Sequence, residues 1–233
     1  MDNNIFELSG ISLDDKALQL FETYRQMILD YNKIMDITNI TDYDQMYIKH
    51  FVDSLLLERA NINLDNVSLI DIGTGGGFPG IPLKIAHPTI DLTLLDSLRK
   101  RITFLTDLIR DLNLKTSKAI HARAEEYAHK KEFREVFDLA TSRAVAELRT
   151  LVEYCLAYVK EGGYFIAMKG PNYQEELQAA SNAIKIMGGR LEEVIEYDLP
   201  QDMGTRSLII IKKIKKTPIK YPRSQGKPRS KPL

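Results

Sequence analysis

The stretch SLIDIGTGGGFPGIPL, residues 68–83, decides the fold of this 233-residue chain. An apolar run over residues 67–72 predicts a buried strand, and glycines at 73, 75, 76 and 77 predict a tight turn before a helix that starts near residues 79–81. Glycine at positions 73 and 75 allows positive φ and a close approach of a ligand to the backbone. The unpaired N–H groups of the helix start would face the same ligand. We therefore interpret the turn as the site of a nucleoside-containing cofactor.

The spacing of the glycines discriminates between cofactors. A dinucleotide fingerprint needs Gly-x-Gly-x-x-Gly, and counting from Gly73 its third glycine would stand where the chain has Phe78. The sequence from Asp71 to Gly77 instead reads acidic-x-Gly-x-Gly-x-Gly, which resembles motif I of class I S-adenosylmethionine (AdoMet) methyltransferases. We therefore predict AdoMet binding by Asp71, Gly73 and Gly75, with the Asp71 carboxylate facing the ammonium or sulfonium directly or through water. Phe78 either walls the pocket or fills the core.

Composition restricts the class of protein. A hydrophobic content of 44% and a charged content of 27% are ordinary for a soluble globular protein, and the apolar runs are too short to span a bilayer. The acidic N-terminus has no apolar run typical of a signal peptide, so we expect a cytoplasmic protein. Cys155 is the single cysteine and is expected in the core. The four histidines lack ligand spacing, which argues against a metal site.

The order of the predicted elements gives the fold class. Helical periodicity over residues 13–31 and 44–60 predicts two amphipathic helices before the first strand. Strands and helices then alternate, with the fifth strand following a turn at residues 162–163 and the last two forming an antiparallel hairpin. We predict an α/β fold with a doubly wound, mostly parallel seven-stranded sheet of the class I AdoMet-dependent methyltransferase type. Residues 1–66 would form a helical cap, residues 67–213 the AdoMet-binding core and residues 214–233 a tail.

Charge is distributed unevenly along the chain. Residues 212–233 hold nine Lys or Arg and no acid, so the first 211 residues carry 23 basic against 32 acidic side chains. Four prolines interrupt the basic tail, and we expect it to be mobile or extended without regular structure. Such a tail binds nucleic acid phosphates or serves only solubility, and we favour phosphate binding.

Five further residues follow strand ends where ligands bind in doubly wound folds. Asp96 ends the second strand and is expected to bind the ribose hydroxyls, to cap the next helix, or both. Glu125 and the adjacent Ala124 follow the third strand, where AdoMet enzymes often contact adenine, although first-turn helix charge also explains Glu125. Arg143 and Lys169 follow the fourth and fifth strands. They would hold guanine O6, a phosphate or the cofactor, or form surface salt bridges.

The sequence also lacks two catalytic motifs. It has neither the Asn/Asp-Pro-Pro-Tyr/Phe used to methylate exocyclic amines nor the Pro-Cys used to attack pyrimidine C6. A nitrogen with an exposed lone pair, such as guanine N7, needs no general base, because catalysis then consists of positioning. The absence of both motifs is therefore compatible with methylation of guanine N7.

Taken together, these motifs resemble the 16S ribosomal RNA (guanine-N7) methyltransferase family, RsmG or GidB, over nearly the whole chain. The resemblance rests on Asn32-Lys33 with Ile37-Thr38, His50-Phe51-Val52-Asp53-Ser54, the stretch from Asp71 to Leu83, Leu95-Asp96-Ser97 with Lys100-Arg101, Arg123-Ala124-Glu125, Ser142-Arg143-Ala144 and Lys169-Gly170. It implies methylation of guanine N7 in the 530 loop of 16S rRNA, with naked rRNA or the small ribosomal subunit as partner. It also implies AdoMet contacts at Gly73, Phe78, Ala124, Glu125 and Arg143. One position departs from the family, since Asp36 stands where the family has Asn.

Three other functions remain open at this point. An AdoMet enzyme acting on a small molecule is disfavoured by the basic tail, and a dehydrogenase by Phe78. A nucleotide-binding regulatory module without catalysis is the third. We expect a monomer without a membrane anchor.

Overall fold

Seven strands form one mixed sheet in residues 4–233, the part of the chain that the computed structural model describes. The strands are β1 (Ser68–Ile72), β2 (Asp91–Asp96), β3 (Ser117–His121), β4 (Phe137–Arg143), β5 (Val159–Lys169), β6 (Gly189–Asp198) and β7 (Thr205–Lys213). Their order is β3-β2-β1-β4-β5-β7-β6, and the pairs are parallel except for those made by β7, which is antiparallel to both neighbours. The predicted fold class is confirmed.

Helices cover both faces of this sheet. They are α1 (Asn4–Leu8), α2 (Asp15–Asn32), α3 (Tyr43–Met46), α4 (Asp53–Leu55), α5 (Gly80–Ala86), α6 (Arg99–Asp111), α7 (Ala124–Tyr127), α8 (Leu148–Cys155), α9 (Gln174–Ile186) and α10 (Lys227–Ser230). A π-helical segment, Tyr47–Val52, joins α3 to α4, and a 3₁₀ segment, Leu56–Ala60, follows α4. The second predicted helix is therefore one helical run with a π turn, a feature common at functional sites. Within residues 4–233 no helix has the length and apolar character needed to cross a membrane.

The order of the strands determines where a ligand can bind. β1 lies between β2 and β4, and the chain leaves β1 toward one side of the sheet and β4 toward the other. A crevice opens at the carboxyl ends of the strands at such a switch point. The glycine turn that follows β1 lies at this crevice.

Alternation along each strand divides the core between the two faces of the sheet. Leu69 packs with the N-terminal helices, α5 and α6, whereas its neighbour Ile70 packs with α8 and α9. Both side chains are fully buried. The strands are thus apolar on both faces, as central parallel strands require.

Aromatic rings attach the N-terminal helices to the sheet. Phe51 lies in the π segment, is fully buried, and has ring centroids 5.0 Å from Phe21, 5.2 Å from Tyr24 and 6.1 Å from Phe78. The Tyr24 hydroxyl donates a hydrogen bond of 2.5 Å to the carbonyl of Gly76. The cap therefore packs directly on the glycine turn.

One prediction about local structure is wrong. β5 begins at Val159, so Gly162 and Gly163 lie within the strand and not in a turn before it. The register between β4 and β5 shifts between Phe137 and Leu139, and Gly162 takes a φ of +87° at this irregularity. The glycines therefore mark a bulge, which a pattern of apolar residues does not distinguish from a turn.

The C-terminal tail is ordered and mostly extended, so it takes the second of the two predicted states, mobile or extended, and only its short final helix departs from the prediction of no regular structure. Tyr221 joins the apolar core on the α8 side of the sheet, and the Arg134 side chain donates to the carbonyls of Tyr221 and Thr217 at 2.9 and 3.0 Å. The tail ends in the short helix α10. Proline prevents long helices and strands but allows a packed, extended segment whose carbonyls accept side-chain hydrogen bonds.

We expect Phe51→Ala to lower the free energy of unfolding by about 3 to 5 kcal/mol, because it leaves a cavity among four rings. Urea denaturation would measure the loss. Ile34→Ala, at a cap side chain that is 73% exposed, serves as the control and should change stability by less than about 0.5 kcal/mol. Equal losses for the two variants would show that the cap does not depend on this aromatic packing.

Candidate functional site

The glycine turn takes the backbone conformation that the sequence predicts. Gly73, Gly75 and Gly77 have φ values of +71°, +60° and +102°, which side-chain-bearing residues adopt at a cost. A Cβ atom added at Gly73 would lie 2.5 Å from a methyl carbon of Val145, in the loop after β4. The turn therefore requires glycine at 73 both for its φ and for the close approach of this loop.

Asp71 holds the turn from inside and does not face the cavity. Its carboxylate is fully buried, and Oδ2 accepts hydrogen bonds from the Thr74 hydroxyl at 2.7 Å and from the Gly80 N–H at 2.9 Å. Burial raises the pKa of Asp71 to about 7, although these two hydrogen bonds oppose the shift. The first N–H of α5 thus binds Asp71, whereas the sequence predicted that both would face a ligand. Oδ1 has no hydrogen-bond partner among residues 4–233.

Asp96 connects the end of β2 to the same turn. Its Oδ2 accepts from the Gly75 N–H at 3.0 Å and its Oδ1 from the Leu98 N–H at 2.9 Å, while Arg101 lies 3.4 Å from Oδ2. Asp96 is only 3% exposed, and it borders the cavity. Asp96 therefore fixes the start of α6 and also presents carboxylate lone pairs to a ligand.

A single cavity of about 820 Å³ collects most of the predicted site residues. Its wall includes Gly73, Gly75, Phe78, Asp96, Ala124, Glu125 and Arg143. Asp71 and Lys169 are the predicted residues that do not line it. The volume and the mixed polar and apolar wall are suited to a nucleoside ligand.

Phe78 forms an apolar wall of the cavity. Its ring stacks on His50, with centroids 4.5 Å apart, and on Tyr24 at 5.4 Å. The Arg143 guanidinium lies 4.9 Å from the Phe78 ring centroid, a cation–π distance. Phe78 is 6% exposed, so it fills core and lines the cavity at once.

The Arg143 side chain is held by residues of the helical cap and is largely shielded from solvent. Its Nη1 donates to Asp53 Oδ2 at 3.0 Å and lies 3.2 Å from the carbonyl of Lys49, and its Nη2 lies 3.3 Å from His50 Nδ1. Asp53 also accepts from the Tyr197 hydroxyl at 3.0 Å. This network joins β4, the helical cap and β6 beside the cavity, so His50 and Asp53 both face inward.

His50 is neutral in this environment. Burial, followed by the nearby charge of Arg143, lowers the pKa of His50 to about 3. Its Nε2 lies 2.8 Å from the Thr38 hydroxyl, which the Asn32 side chain positions through hydrogen bonds to the backbone of Thr38. Asp36 makes no hydrogen bond or ion pair among residues 4–233, and nothing in the structure explains its departure from the family.

Ala124 and Glu125 border the opposite end of the cavity, at the start of α7. Glu125 is 5% exposed, and its side chain has no hydrogen-bond or ion-pair partner within the described part of the chain. The Ala124 carbonyl accepts a hydrogen bond of 2.7 Å from Tyr158, just beyond α8. A buried carboxylate without a protein donor is free to accept hydrogen bonds from a ligand.

Lys169 does not line the cavity but binds residues of a neighbouring loop and helix. Its Nζ lies 2.6 Å from Glu176 and 3.0 Å from the carbonyl of Ala146, and its side chain is 11% exposed. Glu176 in turn accepts from the Leu148 N–H that starts α8. Lys169 therefore fixes the loop between β4 and α8, which contains the cavity residues Val145 and Ala146.

The structure adds residues that sequence reasoning did not assign to the site. Besides His50, they include Ile37, Thr38, Arg101, Val145, Tyr154, Gly226, Arg229 and Ser230. Ile37 and Thr38 are among the residues on which the family resemblance rests, and this resemblance could have indicated that they belong to the site. Gly226, Arg229 and Ser230 belong to the tail, whose charge pointed only to phosphate. For a metal ion, residues 4–233 bring together no group of three or more His, Cys, Asp or Glu.

Comparison with known sequences identifies one family. The model of the family described as rRNA small subunit methyltransferase G matches residues 17–203. The ribosomal RNA small subunit methyltransferase G of Lachnoclostridium phytofermentans is 48% identical over 224 residues, covering 96% of this chain and 93% of that protein. The protein of the same name from Lactobacillus acidophilus is 46% identical and covers 98% and 97%.

Comparison with solved structures concerns the fold alone. A SAM-dependent methyltransferase from Aquifex aeolicus superposes with a TM-score of 0.53 at 16% identity, covering 75% of this chain and 96% of that one. Identity at this level carries no assignment of substrate.

We expect the neutral state of His50 to make the fold sensitive to acid. An unfolded histidine binds a proton near its ordinary pKa of 6.5, whereas folded His50 with a pKa of about 3 does not, so stability falls as pH decreases below 6.5. Between pH 7 and pH 5 the wild type should lose about 2 kcal/mol more than His50→Gln. Urea denaturation at both pH values measures this difference.

His121→Gln is the matched control, because His121 is exposed at the end of β3. Comparison with this variant separates the effect of removing a buried histidine from that of removing an exposed one. Parallel stability profiles for the wild type and His50→Gln would contradict the buried, neutral state.

Proposed function

Because the chain belongs to the ribosomal RNA small subunit methyltransferase G family, we propose that it transfers a methyl group from AdoMet to N7 of a guanine in 16S ribosomal RNA. Family membership carries the proposal, since relatives of that name match almost the full length at 46 to 48% identity. The guanine would be the one in the 530 loop that the sequence resemblance implies. The substrate is naked 16S rRNA or the small ribosomal subunit.

The cavity supports AdoMet as the cofactor. The glycine turn offers backbone without side chains, and Asp96 and Glu125 offer carboxylate acceptors to the hydroxyl and amino groups of a nucleoside. When bound, AdoMet supplies a methyl group already activated by its sulfonium. We assign its binding to Gly73, Gly75, Phe78, Asp96, Ala124, Glu125 and Arg143, with Asp71 acting indirectly through the turn.

The protein side of the reaction is positioning. Guanine N7 has an exposed lone pair, so no proton must leave before the methyl group is transferred. Arg143 is the side chain that we place nearest the reacting groups, because it borders the cavity on a rigid network with Asp53 and stacks over Phe78. Lys169 is a positioning residue that acts through the loop after β4.

The three units expected from the sequence take distinct roles in this proposal. Residues 1–66 supply His50 and the hydrogen bonds that hold Arg143, and residues 67–213 supply the glycine turn and the strand ends. Residues 214–233 close one side of the cavity. The cap thus contributes to the site as well as to stability.

Gly73→Ala should weaken AdoMet binding by about a hundred-fold or more, because its Cβ would both strain the turn and displace Val145. Isothermal titration calorimetry measures the affinity. Gly162→Ala is the matched control, since Gly162 also has positive φ, +87°, but its added Cβ would meet nothing within 4 Å. An unchanged affinity of Gly73→Ala would refute the assignment of the cofactor to this turn.

The activity itself is tested with AdoMet that carries a tritiated methyl group. We expect label in 16S rRNA, offered as deproteinised RNA or as small subunits, and strand cleavage specific for N7-methylguanine should map it to a single guanine. Label on another nitrogen, or only on small molecules, would reject the proposal. Gly73→Ala gives the background of the assay.

A further inference from the structure

The C-terminal strap, residues 214–233, packs across the α8 side of the core and ends at the cavity. Its first part is held by carbonyl contacts, since His129 Nε2 lies 2.8 Å from the carbonyl of Pro222 and Arg134 donates to that of Tyr221. Its last part brings Gly226, Arg229 and Ser230 to the cavity wall. The strap therefore connects the rear of the core with the site.

A buried ion pair locks the strap onto α8. The Glu153 carboxylate is fully buried and accepts from Arg223 through its backbone N–H at 2.7 Å, Nε at 3.0 Å and Nη2 at 2.6 Å. A buried carboxylate left without this arginine would be strongly destabilising. The pair thus fixes the path of the chain just before it reaches the cavity.

The end of the strap lies beside the Ala124–Glu125 end of the cavity. The Thr150 hydroxyl of α8 donates to the carbonyl of Pro228 at 3.0 Å, and Tyr154, also on α8, lines the cavity with Arg229. Tyr158 links the same region to Ala124. Arg229 itself is exposed, so its guanidinium lies at the mouth and remains free to contact a ligand.

We propose that the strap completes the cofactor site: residues 225–233 cover the adenosine end of the cavity, and Arg229 is a cofactor-binding residue. This inference rests on the proposed function. The chemistry fits a nucleoside, because a planar guanidinium stacks on a base or donates to its ring nitrogens, and Glu125 accepts from an amino or hydroxyl group. The strap is locked to Glu153 and lines the same cavity as the glycine turn. This favours AdoMet over RNA as the ligand of Arg229.

Three variants of the full chain test the inference by calorimetry with AdoMet alone. A chain that ends at Ser224 keeps the Arg223 lock and should bind AdoMet about ten-fold more weakly, and Arg229→Gln about three-fold more weakly. Lys216→Gln is the matched control, because it removes one exposed positive charge from the strap at a residue outside the cavity. Its AdoMet affinity should equal that of the wild type.

Thermal unfolding and RNA binding at two salt concentrations accompany the calorimetry. If the shortened chain and Arg229→Gln both bind AdoMet within about two-fold of the wild type, the inference is overturned, whether or not RNA binding changes. Reduced RNA affinity with unchanged AdoMet affinity would identify the strap as an RNA-binding segment instead. Absence of AdoMet binding by the unaltered chain would refute the proposed function and not the strap alone. Because Arg229 is exposed, its variant remains informative even if the shortened chain unfolds.

Discussion

Carboxylates hold the glycine turn in the shape that makes the cavity possible. Asp71 binds the Thr74 hydroxyl and the first N–H of α5 from inside, and Asp96 binds the Gly75 N–H from the neighbouring strand. A run of glycines has the largest conformational entropy to lose on folding, so its backbone needs such partners to remain in one conformation. Asp71 does this while fully buried, which raises its pKa, and the hydrogen bonds stabilise the charged form in return. The acid of the motif therefore shapes the site from inside the turn.

The helical cap extends this arrangement to the far wall of the cavity. The π turn at Tyr47–Val52 places Phe51 in the aromatic core and His50 against Phe78. Arg143, at the end of β4, completes this wall by binding Asp53 and the carbonyl of Lys49. The positive charge of Arg143 beside the cavity is thus compensated by Asp53 of the cap. His50, which stacks on Phe78, stays neutral. The same groups stabilise the fold and orient the site, so substitutions there change both.

The sequence predicted those features that depend on short-range patterns. Strand ends, the glycine turn, Asp96 and Glu125 follow from periodicity and spacing, because parallel strands bring their carboxyl ends to one edge. The direction in which a side chain points does not follow from spacing, which is why Asp71 was expected to face the cofactor. For Lys169 the sequence left a ligand contact or a salt bridge open, and the structure shows its side chain paired with Glu176 and bound to the carbonyl of Ala146. The contacts of the strap could not be predicted, because its partners, Glu153 and Arg134, lie about 70 to 90 residues earlier in the chain.

The ordered strap gives part of the chain's positive charge a fixed position. Residues 1–211 carry 23 basic and 32 acidic side chains, so attraction to an RNA backbone must come from local clusters of positive charge. Arg101, Arg123 and Arg229 border the mouth of the cavity, and they come from α6, the loop before α7 and the strap. A strap that packs against α8 places its arginine at a fixed position in this group, whereas a mobile tail would spread its charge over a large volume. Folding of the C-terminus therefore gives Arg229 a fixed position in the wall of the cavity.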